Sequence, residues 1–365
     1  MSALTVLAET CDRLVDDGSL VGWVAGVRDR DGVQISAGGR RSIDGPPMDP
    51  QTLFMIASCS KPVGGVLALR LVEQGLISLD DPVSRWLPEL ARPRVLTRPD
   101  ADLADTAPAE RPITVEHLLT MTPGFGWVTE RPLSVAMNDA GVAPGPFPPP
   151  MTPEEYLGRL ASLPLANQPG STWRYHTSSD VLGVLLARAT GRSVSDLLEE
   201  HVCRPLGLGD TGFSGDPGRM ARVHGSDLSG ALVPFPVPEG TFTTPPRFES
   251  LATGLVATVG DQLAVLASLA GMGPALLAPE SVATMRRPHL VDEQRAAASD
   301  LLDPDSNWGL HVETRPDGRF GWAGGLGTIG YADPATGRAA FLATQVTVDA
   351  PGTVAAFEGF WPLLD

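Results

Sequence analysis

The sequence predicts an α+β protein: one antiparallel sheet built from both termini and flanked by helices, with a mostly helical second region. Three observations predict it. A hairpin pattern lies near the start, at residues 21–38. Four short strand patterns follow one another between residues 308 and 347. The long apolar-periodic stretches between them repeat at helical spacing.

Each element follows in order. Val21–Gly38 (VGWVAGVRDRDGVQISAG) sets two apolar stretches around the turn-rich tetrad Asp29–Gly32. Ser58–Gln74 carries Val63, Val66, Leu67 and Leu71 on one helical face, and Gly75 stops it. Ser58 therefore falls at or just before a helix start, with Lys61 one turn in. Leu79–Pro88 is a proline-punctuated turn region. Ile113–Met121 opens on a threonine cap and ends at Pro123–Gly124. Gly141–Pro153 (GVAPGPFPPPMTP) holds six prolines in thirteen residues. Such a segment is stiff and extended, and suits either the rim of a cleft or a plain surface crossover. Thr152–Leu160 and Asp180–Val202 read as helices, the second broken by Gly191 and recapped by Ser193. Loops dominate from Gly209 to about Phe248, and Asp261–Ala270 and Ala278–Met285 are helical. Trp308–Glu313, Arg319–Ala323, Leu326–Ala332 and Ala339–Thr347 read as strands, with turns at Pro316–Gly318 and Asp333–Gly337. A final helix starts near Gly352. The division expected is a sheet domain from residues 1–100 and 245–365, and a mostly helical region, 101–244, bearing the proline-rich rim. No internal repeat is visible.

Composition narrows the function. The chain has 365 residues, 42% hydrophobic and 19% charged, with a net charge of −16. These are values for a soluble globular protein. A nucleic-acid binder would carry a basic face, so that class is excluded. The N-terminus combines no basic, apolar and small-residue segments into a leader, and no run is long enough to span a bilayer. A cytoplasmic protein is expected. Cys11, Cys59 and Cys203 are scattered and odd in number, and the six histidines form no ligand pair. No metal and no cofactor are expected. Nothing in the sequence sets the oligomeric state.

Lys61 is the only lysine, against 26 arginines. Arginine solubilises and pairs as well as lysine, but it cannot be deprotonated in a protein. A lone lysine therefore suggests a site that needs lysine's chemistry, although arginine-biased codon usage would also leave an occasional lysine. Ser58–Cys59–Ser60–Lys61 is a Ser-x-x-Lys pattern, a weak signal alone. On a helix, residues three apart share a face, so Lys61 can reach Ser58. The serine hydroxyl needs a base, and lysine serves only if burial or a nearby positive charge lowers its pKa. Phe54, Ile56 and Val63 make that burial plausible. A serine at a helix N-terminus also has a backbone N–H aimed at a developing oxyanion.

The chain resembles the serine β-lactamase and penicillin-binding-protein superfamily, in its class C β-lactamase-like esterase and acyltransferase branch. TLFMIASCSKPV resembles the nucleophile segment and LVEQGLISLDDPVSRWLPEL the segment after it. ITVEHLLTMTPGFG and STWRYHTSSDVLGVLLARATG resemble the blocks that lead into the cleft and carry the second motif. RPLGLGDTGF, GLVATVGDQLAVLASL and LLAPESVATM resemble the later loop and helices, and FGWAGGLGTIGYADPATG the third-motif hairpin. The resemblance implies a β-lactamase/transpeptidase-like fold. It implies that Tyr175 is a proton shuttle acting with Lys61, and that the N–H groups of Ser58 and Gly325 form the oxyanion hole. It places Thr177 where the family often has asparagine or serine, as a group orienting Lys61 or a substrate carbonyl. His176 between them either points away or acts as a base. Trp322–Ala323–Gly324 stands where lactamases carry Lys-Thr-Gly, and Gly324–Gly325 would let substrate lie along the strand edge. Trp322 and Ala323 supply neither cation nor hydroxyl for a substrate carboxylate. The esterase branch is known for tryptophan at this place, so a neutral or aromatic acyl substrate is expected. Trp127 and Trp173 would shape the acyl pocket, although core packing explains Trp173 equally well. Cys59 is expected to be a buried apolar filler.

The function expected is a serine hydrolase working through an acyl-enzyme on ester or activated acyl substrates. The alternative is an acyltransferase of secondary metabolism that passes the acyl group to an alcohol or amine. A β-lactamase or DD-peptidase, and a silent binding protein on the same scaffold, are weaker readings.

Overall fold

The computed structural model describes residues 1–365. Helix α1 (Ala3–Asp16) precedes the hairpin β1 (Gly22–Asp29) and β2 (Gly32–Gly39). The long helices that follow are α2 (Ser60–Glu73), α3 (Thr177–Thr190) and α4 (Val259–Leu269). The chain then lays down β3 (Asn307–Trp308), β4 (Glu313–Thr314), β5 (Phe320–Gly324), β6 (Thr328–Asp333) and β7 (Arg338–Ala343), and closes with α5 (Pro351–Glu358). One seven-stranded antiparallel sheet runs β2-β1-β7-β6-β5-β4-β3. Pairing of β1 with β7, Val24 opposite Ala343 and Arg28 opposite Ala339, joins the two ends of the chain.

Side chains of a strand alternate between faces, so each strand feeds two cores. On one face Trp23, Ala25, Ile329, Tyr331 and Leu342 pack with Leu4 and Leu7 of α1 and with Phe360. On the other, Val24, Phe341 and Ala343 join Leu263 and Leu266 of α4. Close approach requires glycine at Gly330, where a Cβ would come 2.4 Å from the Phe341 ring and 3.0 Å from Leu266. The α4 core continues through Val63 and Leu67 of α2 and Leu182 and Leu185 of α3 to Leu118 and Leu157 of the middle region. Fully burying each such side chain contributes about 1.5–3 kcal/mol. No helix is long and apolar enough to cross a membrane.

The structure differs from expectation in several places. The strand expected over Trp308–Glu313 is split into β3 and β4. Gly309 N–H turns back onto the Val312 carbonyl at 2.8 Å, and His311 takes a φ of 64° beneath α2. Helix α3 starts at Thr177, three residues before Asp180, because its polar first turn is wholly buried and not a solvent-facing cap. Helix α1 was not foreseen, although Leu4, Leu7 and Cys11 share its buried face and Ser2 Oγ accepts from Thr5 N–H. The loop beyond Gly209 holds a small hairpin, His224–Ser226 with Leu232–Pro234.

Candidate active site

The nucleophile segment is shaped before the helix begins. Phe54 and Met55 form a short strand opposite Ala257 and Val256. Ala57 then adopts a φ of 48°, a conformation that costs a non-glycine residue free energy and persists only where the surroundings enforce it. They do. Ile56 N–H donates to the Leu255 carbonyl at 3.0 Å, and the Ile56 carbonyl accepts from Thr328 Oγ1 at 2.8 Å. A Cβ on Gly324 would sit 2.6 Å from that carbonyl and 3.2 Å from Ala57 Cβ. Gly324 is therefore required for packing against the nucleophile turn. Gly325, next along, has open space where a side chain would stand. The N–H groups of Ser58 and Gly325 both bond to nothing within the chain.

Lys61 is 0% exposed. Its Nζ donates to Ser58 Oγ at 2.9 Å and to the Ala252 carbonyl at 2.6 Å. Thr177 makes no hydrogen bond to Lys61, and its buried hydroxyl has no partner. Burial outweighs the opposing Asp180 charge and lowers the Lys61 pKa to about 7. Tyr175 lies alongside, its ring centroid 4.5 Å from Nζ. Its phenol is pushed upward by burial, against hydrogen bonding from Ser58 and Trp322. Near neutral pH a fraction of Lys61 is therefore the neutral amine that can take the Ser58 proton, while the tyrosine keeps its own.

Trp322 does more than line a pocket. Its Nε1 donates to Tyr175 Oη at 2.5 Å, and its ring packs edge-on to Trp308 at 4.9 Å. Trp173 stacks on Tyr175 at 5.4 Å. Trp127 is 51% exposed and, with Trp173, Tyr175 and Leu301, lines a cavity of about 320 Å³. Cys59 Sγ lies 3.4 Å from the Trp322 carbonyl and from Thr328 Oγ1, and burial pushes its pKa up to about 12, an inert packing role.

His176 meets this cluster only through an edge contact with the Tyr175 ring, centroids 6.0 Å apart. Its φ of 84° and ψ of −70°, with Thr177 N–H on the Tyr175 carbonyl at 3.3 Å, make the strained positive-φ form of γ-turn. The turn sends Tyr175 to the aromatic side and His176 into a second cavity of about 510 Å³. There it meets Asp180, Tyr156, Phe213 and Phe242 under the proline-rich segment 143–150. Burial and the Lys61 charge drive the imidazole pKa well down, so the ring is neutral.

Three further residues escaped the sequence reading. Asp180, 2% exposed, accepts from Ser250 Oγ at 2.6 Å and from Ala252 N–H at 3.4 Å, so it holds the peptide whose carbonyl takes Lys61. Gln345 accepts from Met55 N–H at 3.0 Å and donates to the Leu326 carbonyl at 3.1 Å, tying the nucleophile strand to the Gly325 turn. His311 is wholly buried behind α2, 3.4 Å from Ser179 Oγ, and burial lowers its pKa to about 3. Asp180 had one signal, a charge inside an otherwise apolar helical face.

The chain is similar to several known proteins. Esterase EstB of Burkholderia gladioli is 32% identical over 332 residues, 84% of this chain and 80% of that protein. Protein Rv1367c of Mycobacterium tuberculosis is 35% identical over 382 residues, 96% of this chain and 92% of that protein. The solved structure described as EstCE1, a hydrolase with promiscuous acyltransferase activity, superposes with a TM-score of 0.83 at 25% identity and covers 98% of each chain. Residues 7–358 match the family model described as Beta-lactamase, nearly the whole chain, and the protein belongs to that family.

Proposed function

We propose that this protein is a serine hydrolase that cleaves ester or activated acyl substrates through an acyl-enzyme on Ser58. The observation that carries the reading is the wholly buried Lys61 Nζ, 2.9 Å from Ser58 Oγ and with its pKa lowered to about 7. Ser58 Oγ attacks the acyl carbon, and its proton passes to Lys61. The carbonyl oxygen becomes an oxyanion between the free N–H groups of Ser58 and Gly325. Tyr175 relays the proton to the leaving alcohol as the ester bond breaks. Water then attacks the acyl-enzyme, the C–Oγ bond breaks, and Ser58 regains a proton by the same path. Trp322 and Ala323 put no cation and no hydroxyl where a substrate carboxylate would bind, which favours neutral acyl groups over penicillins.

A second reading is favoured by the two cavities on either side of the Tyr175–His176 turn and by the likeness to EstCE1. An alcohol or amine would take the place of water in the second half-reaction, which makes the protein an acyltransferase. Intact-mass spectrometry with a panel of p-nitrophenyl esters tests the common core. The native protein should gain one acyl mass and turn over, and Ser58→Ala should lose roughly 10⁴-fold or more of the rate. The same adduct persisting in Ser58→Ala would show that another residue is the nucleophile.

A further inference from the structure

We propose that the proline-walled cavity is the acyl-acceptor site, and that it selects neutral or cationic alcohols and amines carrying a second O–H or N–H donor. This rests on the acyl-enzyme reading above and adds the acceptor's place and chemistry.

The cavity floor offers acceptor atoms with nothing bound to them. Asp180 is 2% exposed, and both of its hydrogen bonds fall on Oδ1. Oδ2 takes none. The His176 ring, 6% exposed and neutral, makes no hydrogen bond either. A ligand donor that reaches Asp180 Oδ2 from the cavity gains a charge-assisted bond. The floor holds no free cation for an anionic ligand. Lys61 Nζ is engaged by Ser58 and Ala252; the cation that lines the cavity, Arg247, stands exposed at the rim away from Asp180, where Glu239 adds negative charge. The apolar walls, Phe213, Phe242 and the prolines, suit a carbon skeleton between donors.

The floor also adjoins the reacting atoms. Ala252 gives its N–H to Asp180 and its carbonyl to Lys61, so a single residue separates the pocket floor from the base. Thr253 Oγ1 donates to the Pro146 carbonyl at 2.9 Å and ties the proline wall to the same segment. For transfer, an acceptor seated here must extend past Ala252 to bring its hydroxyl to the acyl carbon from the Lys61 side. Its oxygen bonds to the acyl carbon, the bond from that carbon to Ser58 Oγ breaks, and the hydroxyl proton passes through Lys61 and Tyr175 back to Oγ. Nothing else is consumed.

The test is competition on the native protein acetylated by p-nitrophenyl acetate, with ethanolamine, glycerol, 1-propanol and lactate at equal concentration and products counted by mass spectrometry. Ethanolamine and glycerol should exceed 1-propanol by about tenfold, the worth of one charge-assisted bond, and lactate should give no ester. Asp180→Asn should collapse the glycerol-to-propanol ratio towards one, a readout unaffected by any change in overall rate. Gly145→Phe, whose added side chain enters open space at the cavity wall, should lower transfer relative to hydrolysis. Three results would overturn the proposal while leaving the hydrolase intact: an unchanged ratio in both variants, lactate acylated as well as glycerol, or hydrolysis alone with every acceptor. Absence of a Ser58 adduct would instead remove the underlying reading and this proposal with it.

Discussion

The two walls of the cleft are built by different physics. On the aromatic wall, Trp173, Tyr175, Trp308 and Trp322 hold one another through ring contacts of 4.9–6.3 Å. The Trp308 Nε1–H is spent on the Leu119 carbonyl at 3.1 Å and that of Trp322 on Tyr175. On the opposite wall the shape comes from backbone: prolines with fixed φ, a tie from Thr253 to Pro146, and the strained turn at His176. Side-chain packing fixes the first wall and commits most of its polar atoms. Backbone constraint fixes the second and leaves Asp180 Oδ2 and the His176 ring uncommitted. The acid–base residues therefore sit against the rigid side, and the uncommitted acceptors face the open one.

The largest effect should come from breaking the aromatic wall. Trp322→Phe keeps a ring but removes the hydrogen bond to Tyr175. We expect kcat to fall by about 10–100-fold, within the range for a misplaced proton relay, with KM for a small ester nearly unchanged. An unchanged kcat would mean that ring packing alone positions Tyr175.

The opposite wall should act through pH. In the proposed mechanism Lys61 works as the neutral amine, so kcat/KM should fall as pH drops through about 7. The Asp180 charge favours the ammonium and raises the Lys61 pKa. Asp180→Asn removes that charge, so the acid limb should move to lower pH. A pH–rate profile measures it, and a limb that stayed in place or moved upward would uncouple Asp180 from Lys61.

The smallest effect concerns the turn between the walls. Positive-φ strain at a non-glycine residue costs about 1–3 kcal/mol, and glycine gives back part of the relief through its more flexible unfolded chain. His176→Gly should therefore stabilise the protein by about 1 kcal/mol in urea unfolding, while His176→Ala keeps the strain and should not. Equal stability of the two variants would show that the turn stores no strain.

Much of this site was legible in the sequence, for a local reason. Ser58 and Lys61 are three residues apart, and helical geometry alone puts them together. The singularity of Lys61 among 26 arginines, and the resemblance around Tyr175 and Trp322, could be read without coordinates. The hairpin and the late strands followed from apolar stretches bounded by turn residues, and some helix starts from their caps. The tertiary structure decided what depends on segments distant in sequence. Ser250 meets Asp180 across 70 residues, Ala252 meets Lys61 across 191, and Gln345 meets Met55 across 290. Such loop-to-loop hydrogen bonds carry no periodicity, so no pattern in the chain announces them. The degree of burial that brings the Lys61 pKa down to about 7 is likewise a property of everything packed around it. The sequence by itself determined which side chains are the candidates for the chemistry; the tertiary structure decided their ionisation and what can reach them, because desolvation and cavity shape exist only once the distant segments have come together.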